Sequence, residues 1–235
     1  MTKVKISKKL LEKFPKLMLG IVIAKNINNK GSDEKIYHLI EEIENLLKLD
    51  FTPTNLAKHP LISPWRTAYS EFSKKPKKYH SSVEHLMRNI LKGKTTPKIN
   101  KAVDISNYLS LKYLVPTGVN DLDKVDGNIS LTLAKGKETF IPLGSDAKQI
   151  PDKEEIIYKD SKDVLCRKWN WKDAEKAKVE ESSKNIIFYI DALPPVTKKR
   201  MKEILRDIID LLSMFCSPKE TDIYIMGKGN SEIDF

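Results

Sequence analysis

Seven consecutive residues without a charge, Met18 to Ala24 (MLGIVIA), constrain the fold more than any other stretch. A continuous run this rich in branched side chains suits a strand covered on both faces, so the rest of the chain must supply a layer on each side of it. It falls well short of the roughly 20 apolar residues a membrane span needs, and Lys16 and Lys25 bracket it. No small-residue cleavage site follows the basic start, so the stretch reads as a buried strand and no membrane partner is expected. Ser32, followed by Asp33 and Glu34, then opens a helix whose Ile36, Leu39, Ile40, Ile43, Leu46 and Leu47 share one face. Strand followed by amphipathic helix begins an α/β arrangement.

The stretch from Thr52 to Lys78 is broken by prolines and reads as short helices between turns, and Trp65, Tyr69 and Phe72 fall on one side of one of them. Ser81 with Glu84 has the spacing of a capping box for a helix through Leu91 that Gly93 ends. Beyond Pro97 the texture becomes β-rich. Residues 129–133 alternate as a half-buried strand, Thr139 to Leu143 follow a turn, and 155–158 with 164–166 read as a hairpin. Ile186 to Ile190 is a buried strand, and Thr197 opens a long helix striped by Met201, Ile204, Leu205, Ile208, Leu211, Leu212 and Phe215 before a short strand at Ile223 to Met226. The expected fold is a single mixed α+β domain over 1–235 carrying an inserted β-rich lobe at about 97–180.

Composition narrows the partners. Forty-two Lys and Arg against 32 Asp and Glu give a formal charge of +10 over 235 residues, which favours a polyanion without naming one. Lysine-rich composition can also reflect a genome's base content. Cys166 and Cys216 form no CxxC pair and no cysteine-histidine cluster with zinc-ligand spacing, so a reduced, cytoplasmic protein without metal or cofactor is the simple reading. The GxSxG elbow, the phosphate loop, the dinucleotide fingerprint and HExxH are all absent. The GKGN run at Gly227 to Asn230 is most simply a turn, and His38, His59, His80 and His85 have no carboxylate or serine spaced to identify a triad.

The most unusual local feature is LCRKWNWKD at 165–173. Its indole rings can stack on a base while Arg167 and Lys168 meet phosphates, a combination suited to single-stranded nucleic acid; equally, one tryptophan can plug the core while the charges stay solvated. Arg66 is open to the same two readings, ligand contact or surface salt bridge.

The run PKINKAVDISNYLSLKYLVPTGVNDLDKVDG, Pro97 to Gly127, resembles a segment of the editing domain of the phenylalanyl-tRNA synthetase beta subunit, known as B3/B4. Ile99 and Asn100, Val103 and Asp104, Ser106-Asn107-Tyr108, Leu111, Pro116 and Asp121 fall on its pattern without a gap. Trp65-Arg66 with Tyr69, Lys92-Gly93, Ser110, and Cys166 to Trp171 further resemble free-standing proteins of that superfamily, and the likeness spans about 60–195. The resemblance implies the B3/B4 fold and a trans-acting aminoacyl-tRNA deacylase, because the family's domain hydrolyses the ester of a mischarged tRNA. It also implies a tRNA acceptor end as partner. On this reading Asn107, Ser106 and Asp121 serve catalysis, and Gly118, Arg66, Tyr69 and Asn170 shape the substrate pocket. Arg167, Lys168, Trp169, Trp171 and Lys92 meet the tRNA. Two departures matter: Gly118 stands where the synthetase pattern has a histidine, and Ser106 where it has threonine. A non-catalytic RNA-binding module and a small-molecule hydrolase or amino-acid sensor are the alternatives.

Overall fold

The computed structural model describes residues 2–73, 75 and 78–235. In chain order the elements are β1 (Lys3–Ile6), α1 (Lys8–Lys13), β2 (Met18–Lys25), α2 (Glu34–Asp50), α3 (Pro53–Leu56), α4 (Ser63–Phe72), α5 (Ser82–Ile90) and α6 (Lys101–Tyr113). β3 (Thr117–Asp121), a 3₁₀ turn (Leu122–Lys124), β4 (Ile129–Leu133), β5 (Ile156–Lys159), β6 (Val164–Arg167) and β7 (Lys172–Asp173) follow, and then β8 (Ile186–Ala192), α7 (Lys198–Cys216), β9 (Glu220–Met226) and β10 (Glu232–Asp234). The result is a mixed α+β fold with two sheets, ordered β3-β8-β2-β9 and β10-β1-β4-β5-β6-β7.

The apolar run at 18–24 is β2, second from the edge of the four-stranded sheet, with β8 and β9 antiparallel on either side. Side chains alternate across a strand. Leu19, Ile21 and Ile23 therefore join Ile187 and Tyr189 of β8 in a core shared with Val4, Leu131, Ile156 and Leu165 of the six-stranded sheet. Val22 and Ala24, with Ile186, Phe188 and Ile190, face the opposite way onto a helical layer built from Ile36, Ile105, Met201, Leu205 and Ile208. Covering both faces is what the continuous apolar run required. Gly20 lets α7 approach closely, since a Cβ there would meet Met201 Sδ at 2.5 Å and force that side chain to shift.

Several details correct the sequence reading. The cap of α2 is Asp33, whose side chain accepts from Lys35 N, and not Ser32. At α5 the Ser81 side chain makes no capping bond; Glu84 is turned inward instead, fully buried and receiving Arg66 and Arg88. The stretch at 97–180 opens on a helix, α6, and its strands lie in one sheet with the terminal strands β1 and β10, so it is not a self-contained β-rich insertion. Thr197 does cap α7, accepting from Arg200 N, and the stripe from Met201 to Phe215 is buried apart from the half-buried Leu211.

Candidate functional site

Between the two sheets a recess opens against β3. Gly118 pairs with Tyr189 and Asn120 with Ile187, so the β3 residues Thr117 to Asn120 form one wall. The same alternation that sends Ile187 toward the six-stranded sheet sends Tyr189 and Asp191 there too. Tyr158 of β5 and Cys166 of β6 close the floor, and Asn170, Trp171 and Asp173 close the side. The resulting inner chamber is small, about 50 Å³, room for a few waters. An outer cleft of about 170 Å³, lined by Val103, Ser106, Asn107, Leu143 and Lys178, shares the β3 wall and Asp173 with it.

The chamber is polar at its base. Asp191 is 3% exposed and accepts from Tyr158 Oη at 2.6 Å and from Asn170 Nδ2 at 3.0 Å. Tyr69 Oη completes the chain by donating to Asn170 Oδ1 at 3.0 Å. Burial pushes the Asp191 carboxyl up to about 6, and the hydrogen bonds from Tyr158 and Asn170 restrain the rise. The indole of Trp169 stands beside it, its N–H without a hydrogen bond of ordinary geometry. The Tyr189 hydroxyl is likewise buried with no partner among the described residues. A buried hydroxyl left unpaired costs about 1–3 kcal/mol, so a group able to pair with it gains by entering. Cys166 also lines the chamber, but burial pushes its thiol well up, which leaves it a neutral wall and not a thiolate nucleophile.

The structure brings some of the expected residues together and separates others. Ser106, Asn107 and Gly118 share the outer cleft, and Asn170 and Trp171 line the inner chamber. Thr117 Oγ1 donates to the Ser106 carbonyl and accepts from its hydroxyl, each at 2.9 Å, which ties α6 to β3 at the cleft. Gly118 leaves open space, because a Cβ there would come no nearer than 3.9 Å to Tyr189. Tyr69 sits behind Asn170, reaching the site through it.

Asp121, expected in catalysis, is turned away from the cleft. It accepts from Ser183 Oγ at 2.6 Å and from Asp123 N at 3.0 Å, fixing the loop after β3. Arg66, expected in the pocket, holds Glu84 outside it. Arg167, Lys168 and Trp169, expected on the tRNA, are interior. Arg167 binds Glu155 through Nε at 2.8 Å and a terminal nitrogen at 2.7 Å, and Lys168 Nζ reaches the same carboxylate at 2.8 Å. Burial would raise the Glu155 carboxyl, but those two cations outweigh it and hold it below its ordinary value. Trp169, fully buried, packs edge-on to Phe14 and Trp65, with ring centres 5.0 and 5.1 Å away. Trp171 is half-buried against Tyr79, and Lys92 is exposed on the turn after α5.

Sequence reasoning missed Asp191, Tyr189 and Tyr158. The first two had a signal: in IIFYIDA the polar groups fall two apart, at 189 and 191, on one face of an otherwise apolar strand.

The family model of the B3/4 domain matches residues 64–216, a stretch that contains β3, β8 and every residue of both cavities. The chain belongs to the B3/4 domain family. Two curated relatives bear the same description, phenylalanine–tRNA ligase beta subunit. One, from Idiomarina loihiensis, is 34% identical over 88 residues, 37% of this chain and 11% of its own length. The other, from Fusobacterium nucleatum, is 28% identical over 97 residues, 41% of this chain and 12% of its own length. This B3/4 chain thus matches about a ninth of those much longer proteins. Among solved structures, an N-terminal fragment of the phenylalanyl-tRNA synthetase beta subunit from Pyrococcus horikoshii is similar over 98% of this chain and 53% of that fragment, with a TM-score of 0.48 and 14% identity.

Proposed function

We propose that this B3/4 protein is a trans-acting aminoacyl-tRNA deacylase that hydrolyses the ester of mischarged tRNA in the recess between the two sheets, beside β3. The observation that carries this reading is Asp191, a carboxylate held by Tyr158 and Asn170 at the base of a cavity, with its ordinary acidity weakened by burial. A group with a pKa of about 6 is about nine-tenths ionised at neutral pH, yet basic enough to take a proton from water. An aminoacyl ester is already activated by the neighbouring ribose hydroxyl, so positioned water and a stabilised oxyanion suffice and no covalent nucleophile is needed. That fits a chamber whose thiol is neutral.

The division of labour follows from the walls. Asn107 and Ser106 in the outer cleft bind the ester or the ribose, Gly118 leaves space for the amino-acid side chain, and Asp191 accepts the proton of the attacking water. Tyr189 offers its unpaired hydroxyl to the substrate, a contact that separates side chains far better than an apolar pocket, which discriminates about 10–200-fold per methylene. In single-turnover assays with a charged tRNA that the protein deacylates, Asn107→Ala should slow release at least tenfold while the protein stays folded. An unchanged rate would remove Asn107 from the site.

One observation favours a second reading. None of the four histidines lines either cavity, so the site lacks the imidazole that the synthetase pattern places at position 118. A non-catalytic RNA-binding module would show tRNA binding and no release from any charged tRNA.

A further inference from the structure

Among the described residues, two clusters of exposed cations lie apart in the fold. One is the exposed side of α7, carrying Lys198, Lys199, Lys202 and Arg206. Its buried face, Met201 and Leu205, lies on the side of the four-stranded sheet away from Tyr189 and Asp191, so a polymer held there is remote from the chamber. The other surface borders the chamber itself. Ser82, the first residue of α5, lines the inner chamber, and its N–H donates to the Asn170 carbonyl at 3.0 Å, locking the start of α5 to the segment that carries Trp171 and Lys172. The turn closing α5 presents Lys92 and Lys94, held by hydrogen bonds from both backbone N–H groups to the Asn89 carbonyl.

Lys92, Lys94 and Lys172 form no ion pair among the described residues, unlike Lys168, Lys176 and Lys178, which are each committed to carboxylates. All three act on one point. The His85 imidazole, one turn into α5, is pushed below its ordinary value by burial and then by the charges of Lys172, Lys94 and Lys92, and its Nε2 lies 3.1 Å from Asn89 Nδ2. These three cations therefore gather around the start and end of α5 with no carboxylate at ion-pair distance among the described residues. Beside it, Trp171 stands half-buried with its ring 4.6 Å from Tyr79, while Lys168 Nζ sits 4.5 Å from the Tyr79 ring centre. The aromatic pair packs over a buried cation, and Trp171 is part of the chamber lining. At about 1.5 Å per residue, α5 carries this surface roughly 12 Å from the Asn170 contact to the Lys92 turn.

We infer that α5, the turn after it and β7 form the entry track for a single-stranded RNA end, with Lys92, Lys94 and Lys172 taking backbone phosphates and Trp171 stacking the base nearest the chamber. Cations in a line beside an aromatic face are the means by which proteins hold single strands without reading sequence. The track rests on the deacylase reading only for the identity of the RNA. Binding of an uncharged strand does not depend on ester hydrolysis, so the two can fail separately.

The test is the salt dependence of binding to a short, labelled, uncharged single-stranded RNA, followed by fluorescence anisotropy. Three phosphate contacts contribute a log–log slope of about −2, at about 0.7 per phosphate on a single strand. The Lys92→Ala/Lys94→Ala/Lys172→Ala variant should lose most of that slope. Trp171→Leu should weaken binding roughly five- to hundredfold with the slope unchanged, since stacking neutralises no phosphate. Lys198→Ala/Lys199→Ala/Lys202→Ala on α7 should bind as the unaltered protein does. The inference is overturned if the α7 variant alone loses the slope, if a duplex of the same sequence binds as tightly as the single strand, or if the unaltered protein binds no RNA.

Discussion

Asp191 is the side chain on which the proposed chemistry rests. If it accepts the proton of the attacking water, the rate of ester release rises with pH through about 6 and then levels. Asp191→Asn should remove that rise and lower kcat at neutral pH by about 10²-fold or more, the usual contribution of a positioned base. The same shift has a consequence for stability. In the unfolded chain an aspartate titrates near 3.9, while in the fold this one titrates at about 6. Between those values the native state holds a proton that the unfolded chain has released. Raising the pH through this window therefore costs the native protein about 3 kcal/mol, from a shift of about two units. Denaturant titrations at pH 4 and pH 7 should show the advantage of the unaltered protein over Asp191→Asn shrinking by about that amount as pH rises; a constant difference would show that Asp191 titrates normally.

Gly118 separates shape from stability. A methyl there meets nothing closer than 3.9 Å, so Gly118→Ala should leave the unfolding midpoint within about 0.5 kcal/mol of the parent, as other substitutions outside packed contacts do. Because residue 118 lines both cavities, the same variant should change which amino acids are released. A large loss of stability would mean that the recess is tighter than this geometry.

At the scale of elements, the turn after β6 depends on a single buried carboxylate. Lys168 and Trp169 both hold positive φ, at 48° and 66°, a conformation that side chains with a Cβ rarely adopt unless the surroundings impose it. Glu155 imposes it here, accepting from the Lys168 amide at 3.1 Å as well as from both cationic side chains. Glu155→Gln removes the buried carboxylate that both cations share, leaving only the part-exposed Asp152 at 3.7 Å from Lys168 Nζ, and should cost about 3–5 kcal/mol in chemical denaturation. The same change should also weaken Asn170 in the site, since the turn positions it.

Elements differ in how much of them the sequence reveals. α7 and α2 show a helical stripe because each buries one face. α6 shows none: Ala102, Asp104, Ile105, Ser106, Leu109, Ser110, Leu111 and Tyr113 are buried all around it, packed among α2, α5, α7 and β3. A helix buried around most of its circumference loses its periodic signal, which is why its surroundings read as β-rich. β1 and β10 pair with each other across nearly the whole chain, Val4 opposite Ile233, a contact that no local pattern encodes. In the site, Asn107, Ser106 and Gly118 were legible through the ungapped motif at 97–127. Arg167, Lys168 and Trp169 misled because their composition suits nucleic acid, while Glu155, twelve and thirteen positions before the two cations, draws them inside.

At the scale of the molecule, two sheets meet over one core, helices cover the far face of one sheet, and a polar recess opens where the sheets' edges approach. No helix among the described residues is long and apolar enough to cross a membrane, and both cysteines are free and buried. The family assignment joins the chain to the B3/4 domain, and the arrangement of Asp191, Tyr189, Asn107 and Gly118 is what supports the proposed ester hydrolysis on a charged tRNA. The most direct measurement is release of amino acids from a panel of correctly and incorrectly charged tRNAs, with the protein present in substoichiometric amounts. Multiple turnovers on one or a few mischarged species, absent in Asp191→Asn, are the expected result. Tight binding with no release from any member of the panel would contradict it.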